Sequence, residues 1–362
     1  MFGLSVAGRQ KLELFGSGDR PVPVDWVPVT ASKRPMLPNR DDSDSAHHAP
    51  GPVMIIGGAE DKLKDKVILS RFIRLAGGTD GHIVVISTAS SLGEAATELY
   101  WELFTGMGAG GVSGLRPLTR EEANKPQDAR LLAKATGVFL TGGNQLRLSL
   151  VVGGTRLGAA LLTAHARGAV VAGTSAGASA VSTHMMAFGA SGATPKHRMA
   201  QISSGLGLLK GVVVDQHFEQ RTRLGRLLAV VAQSPSLIGL GLDEDTAAVV
   251  YPDDTLEVLG RGAVTIVDGS HVVTDAFHTK GHRPMMVSGA ILHSLPSGYR
   301  FDLRNRALLP HVTDITERQE RAVESAHRRL SRLARAIAAE GANSFSVERR
   351  PRGRRPEQEA SE

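Results

Sequence analysis

The chain from Ala169 to Ala178 reads Ala-Val-Val-Ala-Gly-Thr-Ser-Ala-Gly-Ala, and this stretch decides the predicted fold. A short apolar run ends at Gly173, and Ser175 follows between small residues before an alanine-rich helical pattern begins. This Gly-x-Ser-x-Gly spacing is typical of a tight strand-to-helix turn that projects a hydroxyl above a sheet, as in a nucleophile elbow. The alternative is a glycine-rich connection with an incidental serine, and the motif alone does not decide between the two.

A helix that begins at this turn would aim unpaired backbone N–H groups at the space beside Ser175. An enzyme that forms an oxyanion there needs two such donors. We expect Ala176 to supply one N–H group, and Gly142 or Gly143 to supply the other because glycine permits close approach. The alternative for the two glycines is an ordinary strand-to-helix turn.

Apolar runs and helical periodicity alternate before and after this stretch, which predicts an α/β fold. Continuous apolar strands of this kind form a mostly parallel sheet with helices on both faces. We predict strands at 53–56, 82–86, 138–140 and 212–214, and helices over 63–75, 92–104, from 144, 155–167 and 219–233. Ligands bind beyond the carboxyl ends of such strands, so we expect the residues that end them to converge. These residues are Gly57, Thr88, Gly142 and Ser175.

The pattern changes after residue 242. Short apolar runs at 247–251, 256–259, 263–267 and 271–274 are separated by Pro-Asp-Asp or Asp-Gly turns. This pattern is typical of antiparallel hairpins, which we expect to complete one edge of the same domain. An amphipathic helix is predicted over 316–339. We therefore expect one α/β domain over 51–340, a disordered proline-containing extension over 1–50, and a disordered charged tail over 341–362.

Composition excludes several classes of protein. The 362 residues include no cysteine, so disulfides, thiolate metal sites and cysteine nucleophiles are excluded. The net charge of +6 fits an acidic or zwitterionic ligand, and it would fit nucleic acid equally well. We expect no nucleic-acid partner, since a solvated helix face explains the C-terminal arginines more simply. Without an apolar run of about 20 residues or a secretory signal, we expect a cytoplasmic protein with no membrane span.

No cofactor motif is present. The glycine pair Gly57-Gly58 follows a strand without the Gly-x-Gly-x-x-Gly spacing, and neither a phosphate-binding loop nor a His-Glu-x-x-His motif occurs. We therefore expect no nucleotide, other cofactor or metal.

A serine nucleophile needs a base, and the base needs a third group to orient it. Among the thirteen histidines, His217 is best placed, because we expect it at the end of a strand in the same sheet as Ser175. The alternative is a polar residue that caps the strand. The candidates for the third group are the three acidic residues that end another apolar strand, Asp243, Glu244 and Asp245. Because side chains alternate between the two faces of a strand, Glu244 is expected on the face opposite Asp243 and Asp245. The sequence does not decide which face meets His217.

Three arginines follow His217 and suggest a carboxylate-rich substrate, since arginine binds carboxylates bidentately. On a regular helix Arg221 and Arg223 diverge by about 200°. Together with Arg226 they cannot line one pocket unless the first turn is irregular. Surface salt bridges are the alternative.

Four motifs, taken in order, resemble the cyanophycinases, which are serine exopeptidases of the peptidase E-like group with a class I glutamine-amidotransferase-like fold. The motifs lie at Gly57–Lys62, Thr141–Gln145, Gly173–Ala178 and Asp215–Leu227, and the resemblance covers roughly residues 50 to 312. It implies that Ser175 is the nucleophile, His217 the base and Glu244 the orienting acid. It also implies a set of substrate-binding residues: Gln145, Asp215, Gln216, Arg221, Arg223 and Arg226.

The implied substrate is cyanophycin, a poly-aspartate with arginine joined to each β-carboxyl, and the implied product is the β-aspartyl-arginine dipeptide. The resemblance also implies a homodimer. Two alternatives are a peptidase E-like dipeptidase of short aspartyl peptides and a catalytically silent binding protein of the same fold. Residues 188–199 form either a mobile lid or a surface loop.

Overall fold

The computed structural model describes residues 49–310 together with 328, 329 and 332. The predicted extension, apart from its last two residues, and the predicted charged tail lie outside the described residues. Of the predicted helix over 316–339, only the three isolated positions are described, and all three are helical.

Strands and helices alternate as far as residue 180, and strands predominate in the rest of the domain. The strands are β1 Val53–Ile56, β2 His82–Ile86, β3 Gly111–Leu115, β4 Gly137–Leu140, β5 Val170–Thr174, β6 His184–Gly189, β7 Ala200–Ser204, β8 Val212–Asp215, β9 Ile238–Leu242, β10 Thr246–Val250, β11 Thr255–Gly260, β12 Ala263–Asp268, β13 Val273–Thr274, β14 Val287–Ser288, β15 Ile291–Pro296, β16 Arg300–Asp302 and β17 Ala307–Leu308. The helices are α1 Val67–Leu75, α2 Ala95–Gly106, α3 Pro126–Lys134, α4 Gln145–Val152, α5 Arg156–Ala166, α6 Ala176–Ala180 and α7 Leu224–Gln233.

The central sheet has nine strands in the order β17-β16-β11-β10-β1-β5-β4-β2-β3. Strands β1 to β5 run parallel to one another, and β10, β11, β16 and β17 extend the sheet antiparallel from β1. The prediction of an α/β fold with a mostly parallel core and antiparallel hairpins at one edge is therefore confirmed. The edge strand β3 is rich in glycine and only its last residue is buried, which explains why periodicity did not reveal it.

The strand that leads to His217 lies in a second sheet, which corrects our expectation that it shares a sheet with Ser175. This four-stranded sheet has the order β15-β12-β9-β8, with β8 parallel to β9. Strand β12, one of the short strands expected as antiparallel hairpins at one edge of the domain, also belongs here. All of these strands are apolar, and an apolar run does not specify which strand pairs with it.

The chain passes from the second sheet back to the first between β9 and β10. The short connection 243–245 makes this crossing, and the Gly57 N–H group bonds the Thr246 carbonyl beyond it at 2.8 Å. The ends of β1, β5, β8 and β9 are thereby brought to one rim of the fold.

Helices cover both faces of the central sheet, and one face is packed with aromatic rings. Phe72 of α1 and Phe104 of α2 lie against Phe139 of β4, with ring centroids 5.2 to 5.5 Å apart. All three side chains are fully buried. Burying each such ring contributes about 1.5–3 kcal/mol, so this face is a main source of stability.

Two helices begin later than periodicity predicts. Helix α1 starts at Val67 because the Asp61 carboxylate accepts the N–H groups of residues 63 to 66 and holds them in a turn. Helix α7 starts at Leu224, after a turn in which Thr222 has a φ of 49°. By contrast, α4 begins next to the predicted residue 144, and Asn144 caps it by accepting the Arg147 N–H group at 3.1 Å.

Among the described residues no single helix is long and apolar enough to cross a membrane. Helices α4 and α5 have the length and apolar composition of a membrane span only when they are taken together, and the chain bends by 96° between them.

Candidate active site

Ser175 occupies the turn between β5 and α6 and has a φ of 50°, a left-handed conformation that is strained for a residue with a side chain. Its N–H group bonds the Ile56 carbonyl at 2.9 Å. The residues that flank Ser175 must be small because other backbone segments approach them closely. A Cβ at Gly173 would lie 2.4 Å from the Gly177 backbone, and one at Gly177 would lie 2.4 Å from the Leu140 carbonyl oxygen. The geometry is therefore that of a nucleophile elbow.

Three side chains from three separate segments meet at this turn. The Ser175 Oγ atom lies 2.8 Å from Nε2 of His217, and Nδ1 of His217 lies 2.6 Å from Oε1 of Glu244. His217 follows β8 with a φ of 47°, and its N–H group bonds the Gly57 carbonyl at 2.9 Å. The arrangement can accept the hydroxyl proton on one imidazole nitrogen while the carboxylate holds the other.

The environment of His217 favours its neutral form. Burial lowers the pKa of the imidazole and the positive charges of Arg221 and Arg223 lower it further, which outweighs the opposite effect of Glu244. The imidazole is therefore available as a proton acceptor at neutral pH.

Gly58 allows the imidazole ring to lie where it does. A Cβ at this position would be 2.4 Å from Cε1 of His217, and the φ of Gly58 is 97°. A larger residue would displace the ring, which explains the second glycine of the pair after β1.

Of the three consecutive acids, only Glu244 contacts His217. The Asp243 carboxylate instead accepts the N–H groups of Glu219 and Ala263, both at 3.1 Å. The Asp245 carboxylate accepts the Asp61 N–H group at 2.8 Å. Asp245 has a φ of 50°, so this segment is a turn and simple strand alternation does not apply to it.

Two of the three expected oxyanion donors, Ala176 and Gly142, adjoin the serine. Ala176 is buried at the start of α6. A Cβ at Gly142 would lie 3.4 Å from Cβ of Ser175 and 3.9 Å from its Oγ atom, so the Gly142 backbone is adjacent to the nucleophile. Gly143 has a φ of 138° and packs against the backbone of Ala89.

A buried ion cluster lies beside the relay. The carboxylate of Asp215 is fully buried and accepts two hydrogen bonds from Arg226, at 2.6 Å from Nε and 2.5 Å from a terminal nitrogen. Arg223 contacts the same carboxylate at 3.3 Å and the side-chain oxygen of Gln216 at 3.0 Å. Burial lowers the pKa of Arg223 to about 10, with the charge of Arg226 acting in the same direction.

The three arginines have different surroundings. Arg223 and Arg226 are buried, whereas Arg221 is exposed. Arg223 and Arg226, which lie three residues apart, both contact the Asp215 carboxylate, so these two arginines and not all three form the buried cluster. Within the described part of the chain, Nε of Arg223 is buried without a hydrogen-bond partner.

Gln145 and the loop 188–199 both make hydrogen bonds to the backbone near the site. Gln145, the first residue of α4, donates its side-chain amide to the carbonyls of Met186 and Ala187, at 3.2 and 2.6 Å. The loop 188–199 is anchored through Gly192, whose N–H group bonds the Thr222 carbonyl at 2.7 Å. This bond favours a packed surface loop over a mobile lid.

Sequence reasoning missed Arg329. Its guanidinium lies 3.1 Å from the Glu219 carboxylate and 3.2 Å from that of Asp243. The arginine therefore links the segment that follows His217 to the residue that precedes Glu244. No local pattern marks it, because its partners lie 86 and 110 residues earlier in the chain.

Among the described residues, no group of three or more His, Asp or Glu side chains is arranged to hold a metal ion.

The protein-family model "Peptidase family S51" matches residues 53–259. This chain belongs to peptidase family S51. Membership makes the protein a hydrolase of the serine peptidase type, in agreement with the hydroxyl, imidazole and carboxylate on one rim. The matched region includes Ser175, His217 and Glu244.

Curated relatives of this S51 peptidase are named cyanophycinase. The protein of that name from Trichormus variabilis is 42% identical over 267 residues, which are 73% of this chain and 89% of the relative. The one from Synechococcus elongatus is 39% identical over 277 residues, covering 75% and 86%. A crystal structure of a peptidase from an acI-B1 actinobacterium matches with a TM-score of 0.52 and 22% identity, over 68% of this chain and 98% of that one. This structural match shows that the fold is shared.

Proposed function

We propose that this S51 peptidase hydrolyses cyanophycin and releases β-aspartyl-arginine dipeptides. The observation that carries the proposal is the hydrogen-bonded series from Ser175 through His217 to Glu244, at 2.8 and 2.6 Å. The names of relatives at 39 and 42% identity support the choice of substrate.

In the proposed mechanism, neutral His217 takes the proton of Ser175 as Oγ attacks the substrate carbonyl, and Glu244 stabilises the resulting imidazolium. The N–H groups of Ala176 and of the Gly142–Gly143 segment hold the oxyanion. His217 then gives the proton to the leaving amine. Water, activated by the same imidazole, hydrolyses the acyl-enzyme.

The ion cluster suits a substrate whose repeat carries both guanidinium and carboxylate groups. We propose that exposed Arg221, together with the part of the Arg223 side chain that remains accessible (8% of its surface), binds the substrate carboxylate. Asp215 and Arg226 fix the position of Arg223. The side-chain amides of Gln145 and Gln216 complete the proposed set.

The test is incubation of purified protein with cyanophycin granules, followed by mass determination of the soluble product. We expect the granules to dissolve with release of a product of the mass of β-aspartyl-arginine. Activity on short β-aspartyl dipeptides without any on granules would instead favour the peptidase E-like alternative. Binding to granules with no product would favour the silent binding protein.

The rate should depend on the protonation of His217. As the pH falls through the pKa of His217, kcat/KM is expected to fall with a midpoint below 6.5, because protonated imidazole cannot accept the serine proton. Arg221→Ala removes a positive charge near the ring and should raise the midpoint. Arg304→Ala, at a surface pair with Asp254, is the matched control and should leave it unchanged. A midpoint above 6.5 in the wild type would contradict the assignment of His217 as base.

Glu244→Gln is expected to lower kcat by about 10² to 10⁴-fold, because an amide can donate to Nδ1 and stabilise the wrong tautomer of His217. The measurement is kcat at a pH well above the midpoint. Asp245→Asn is the control, since this neighbouring carboxylate bonds the Asp61 backbone and lies outside the relay. Equal losses in the two variants would contradict a specific role for Glu244.

We also propose a homodimer, the assembly that the resemblance to cyanophycinases implies. Sedimentation equilibrium of the purified protein should give twice the chain mass of 38.3 kDa. A mass of one chain at micromolar concentration would contradict the proposal.

A further inference from the structure

A buried carboxylate lies behind the nucleophile turn and takes no part in the relay. Glu60 follows β1 and is only 4% exposed. Its Oε2 atom accepts the Thr174 hydroxyl at 2.6 Å, and its Oε1 atom accepts the Tyr100 hydroxyl at 2.5 Å and the Lys62 ammonium at 2.8 Å. Thr174 immediately precedes Ser175, so one of these bonds reaches the neighbour of the nucleophile.

Glu60 is ionised in this environment. Burial alone would raise the pKa of its carboxyl group, but the charge of Lys62 and the hydrogen bonds from Thr174 and Tyr100 bring it below the ordinary value. Burial and the charge of Glu60 raise the pKa of Tyr100, so the phenol remains a donor. The carboxylate therefore accepts charge-assisted hydrogen bonds, which are stronger than those between neutral groups.

The segment that carries Glu60 is bonded to two residues of the relay and to the neighbour of the third. The Ile56 carbonyl accepts the N–H group of Ser175, and the Gly57 carbonyl accepts that of His217, both at 2.9 Å. The Gly58 carbonyl accepts the N–H group of Asp245, beside Glu244, also at 2.9 Å. The 56–60 segment is thus a common support for hydroxyl, imidazole and carboxylate, and Glu60 adds a side-chain bond to it.

The nucleophile turn needs such support. Ser175 is held at a φ of 50°, and a non-glycine residue keeps this conformation only when its surroundings fix it. The Thr174 side chain is buried, and its hydroxyl is fixed by Glu60. Loss of that bond would let the turn relax and move Oγ away from Nε2 of His217.

We propose that Glu60 is a positioning residue, whose ionised carboxylate acts through the Thr174 hydroxyl to hold Ser175 in its reactive geometry. The proposal rests on the proposed function only in taking Ser175 as the nucleophile. It does not depend on which peptide is the substrate.

The test is the rate at which a fluorescent alkyl fluorophosphonate labels Ser175, which reports the reactivity of the serine without any peptide substrate. Glu60→Gln and Thr174→Val are both nearly isosteric, and each should slow labelling about tenfold. Their combination should be no slower than Thr174→Val alone, since Thr174→Val removes the bond that Glu60→Gln weakens by taking away the charge of the acceptor. Thr174→Ser keeps the hydroxyl and should label within about twofold of the wild-type rate.

Tyr100→Phe is the matched control, because it removes a hydrogen bond from the same carboxylate without touching Thr174. It should lower the thermal midpoint while leaving the labelling rate within about twofold of wild type. Wild-type rates in both Glu60→Gln and Thr174→Val would overturn the proposal, as would an equal loss in Tyr100→Phe. A wild-type chain that is not labelled at Ser175 would overturn the serine mechanism itself, together with this role for Glu60.

Discussion

Ser175→Ala is expected to lower kcat on cyanophycin by about 10⁴-fold or more, because no other group replaces the covalent nucleophile. The bond from Oγ to His217 at 2.8 Å links the hydroxyl to the relay. Alanine and serine both carry a Cβ atom, so alanine should adopt the strained backbone conformation at this position as readily as serine does. The thermal midpoint of unfolding should therefore change little. Release of β-aspartyl-arginine from granules, measured by mass, gives the rate.

Ser179→Ala is the matched control for this variant. Ser179 lies four residues later on the same short helix, and its hydroxyl bonds the Val214 carbonyl at 3.2 Å, away from the relay. We expect this variant to keep kcat within a few-fold of wild type even if it is less stable. Turnover that survives in Ser175→Ala would show that a different group carries out the hydrolysis.

Asp215→Asn is expected to lower the free energy of unfolding by about 3–5 kcal/mol, because it leaves two buried guanidinium groups without their counter-charge. Asp215 is fully buried, and the side chains of Arg223 and Arg226 are at most 8% exposed. The substitution changes the shape of the side chain very little, so the loss reports charge rather than packing. Urea unfolding at neutral pH measures it.

The control for this prediction is Asp254→Asn. Asp254 forms a similar ion pair with Arg304, but both side chains are largely exposed, and water screens such a pair. We expect this variant to change the free energy of unfolding far less. Equal unfolding free energies for wild type and Asp215→Asn would contradict the view that this carboxylate holds the two arginines in place.

The features that sequence predicted best are those that local sterics determine. The Gly-x-Ser-x-Gly spacing around Ser175 follows from close backbone contacts within one turn, and those contacts involve only near neighbours and Leu140. The parallel core of the central sheet was predicted for a similar reason, since buried strands read as continuous apolar runs.

The features that sequence did not predict depend on contacts between distant segments. Strand β8 pairs with β9 in a second sheet, and its apolar residues alone do not indicate this partner. The orientation of Glu244 toward His217 was implied only by the family resemblance and not by strand alternation, because it depends on a turn with Asp245 in a left-handed conformation. The proposed role of Glu60 depends on Thr174, 114 residues away in the chain, and Arg329 contacts Asp243, 86 residues away.

Peptide mapping after treatment with a fluorophosphonate tests most directly whether Ser175 is a nucleophile made reactive by His217. We predict that the wild-type protein is labelled at Ser175 alone, that soluble cyanophycin slows the labelling, and that His217→Ala is not labelled. Labelling at another residue, or labelling of Ser175 at the same rate in His217→Ala, would contradict the proposed relay.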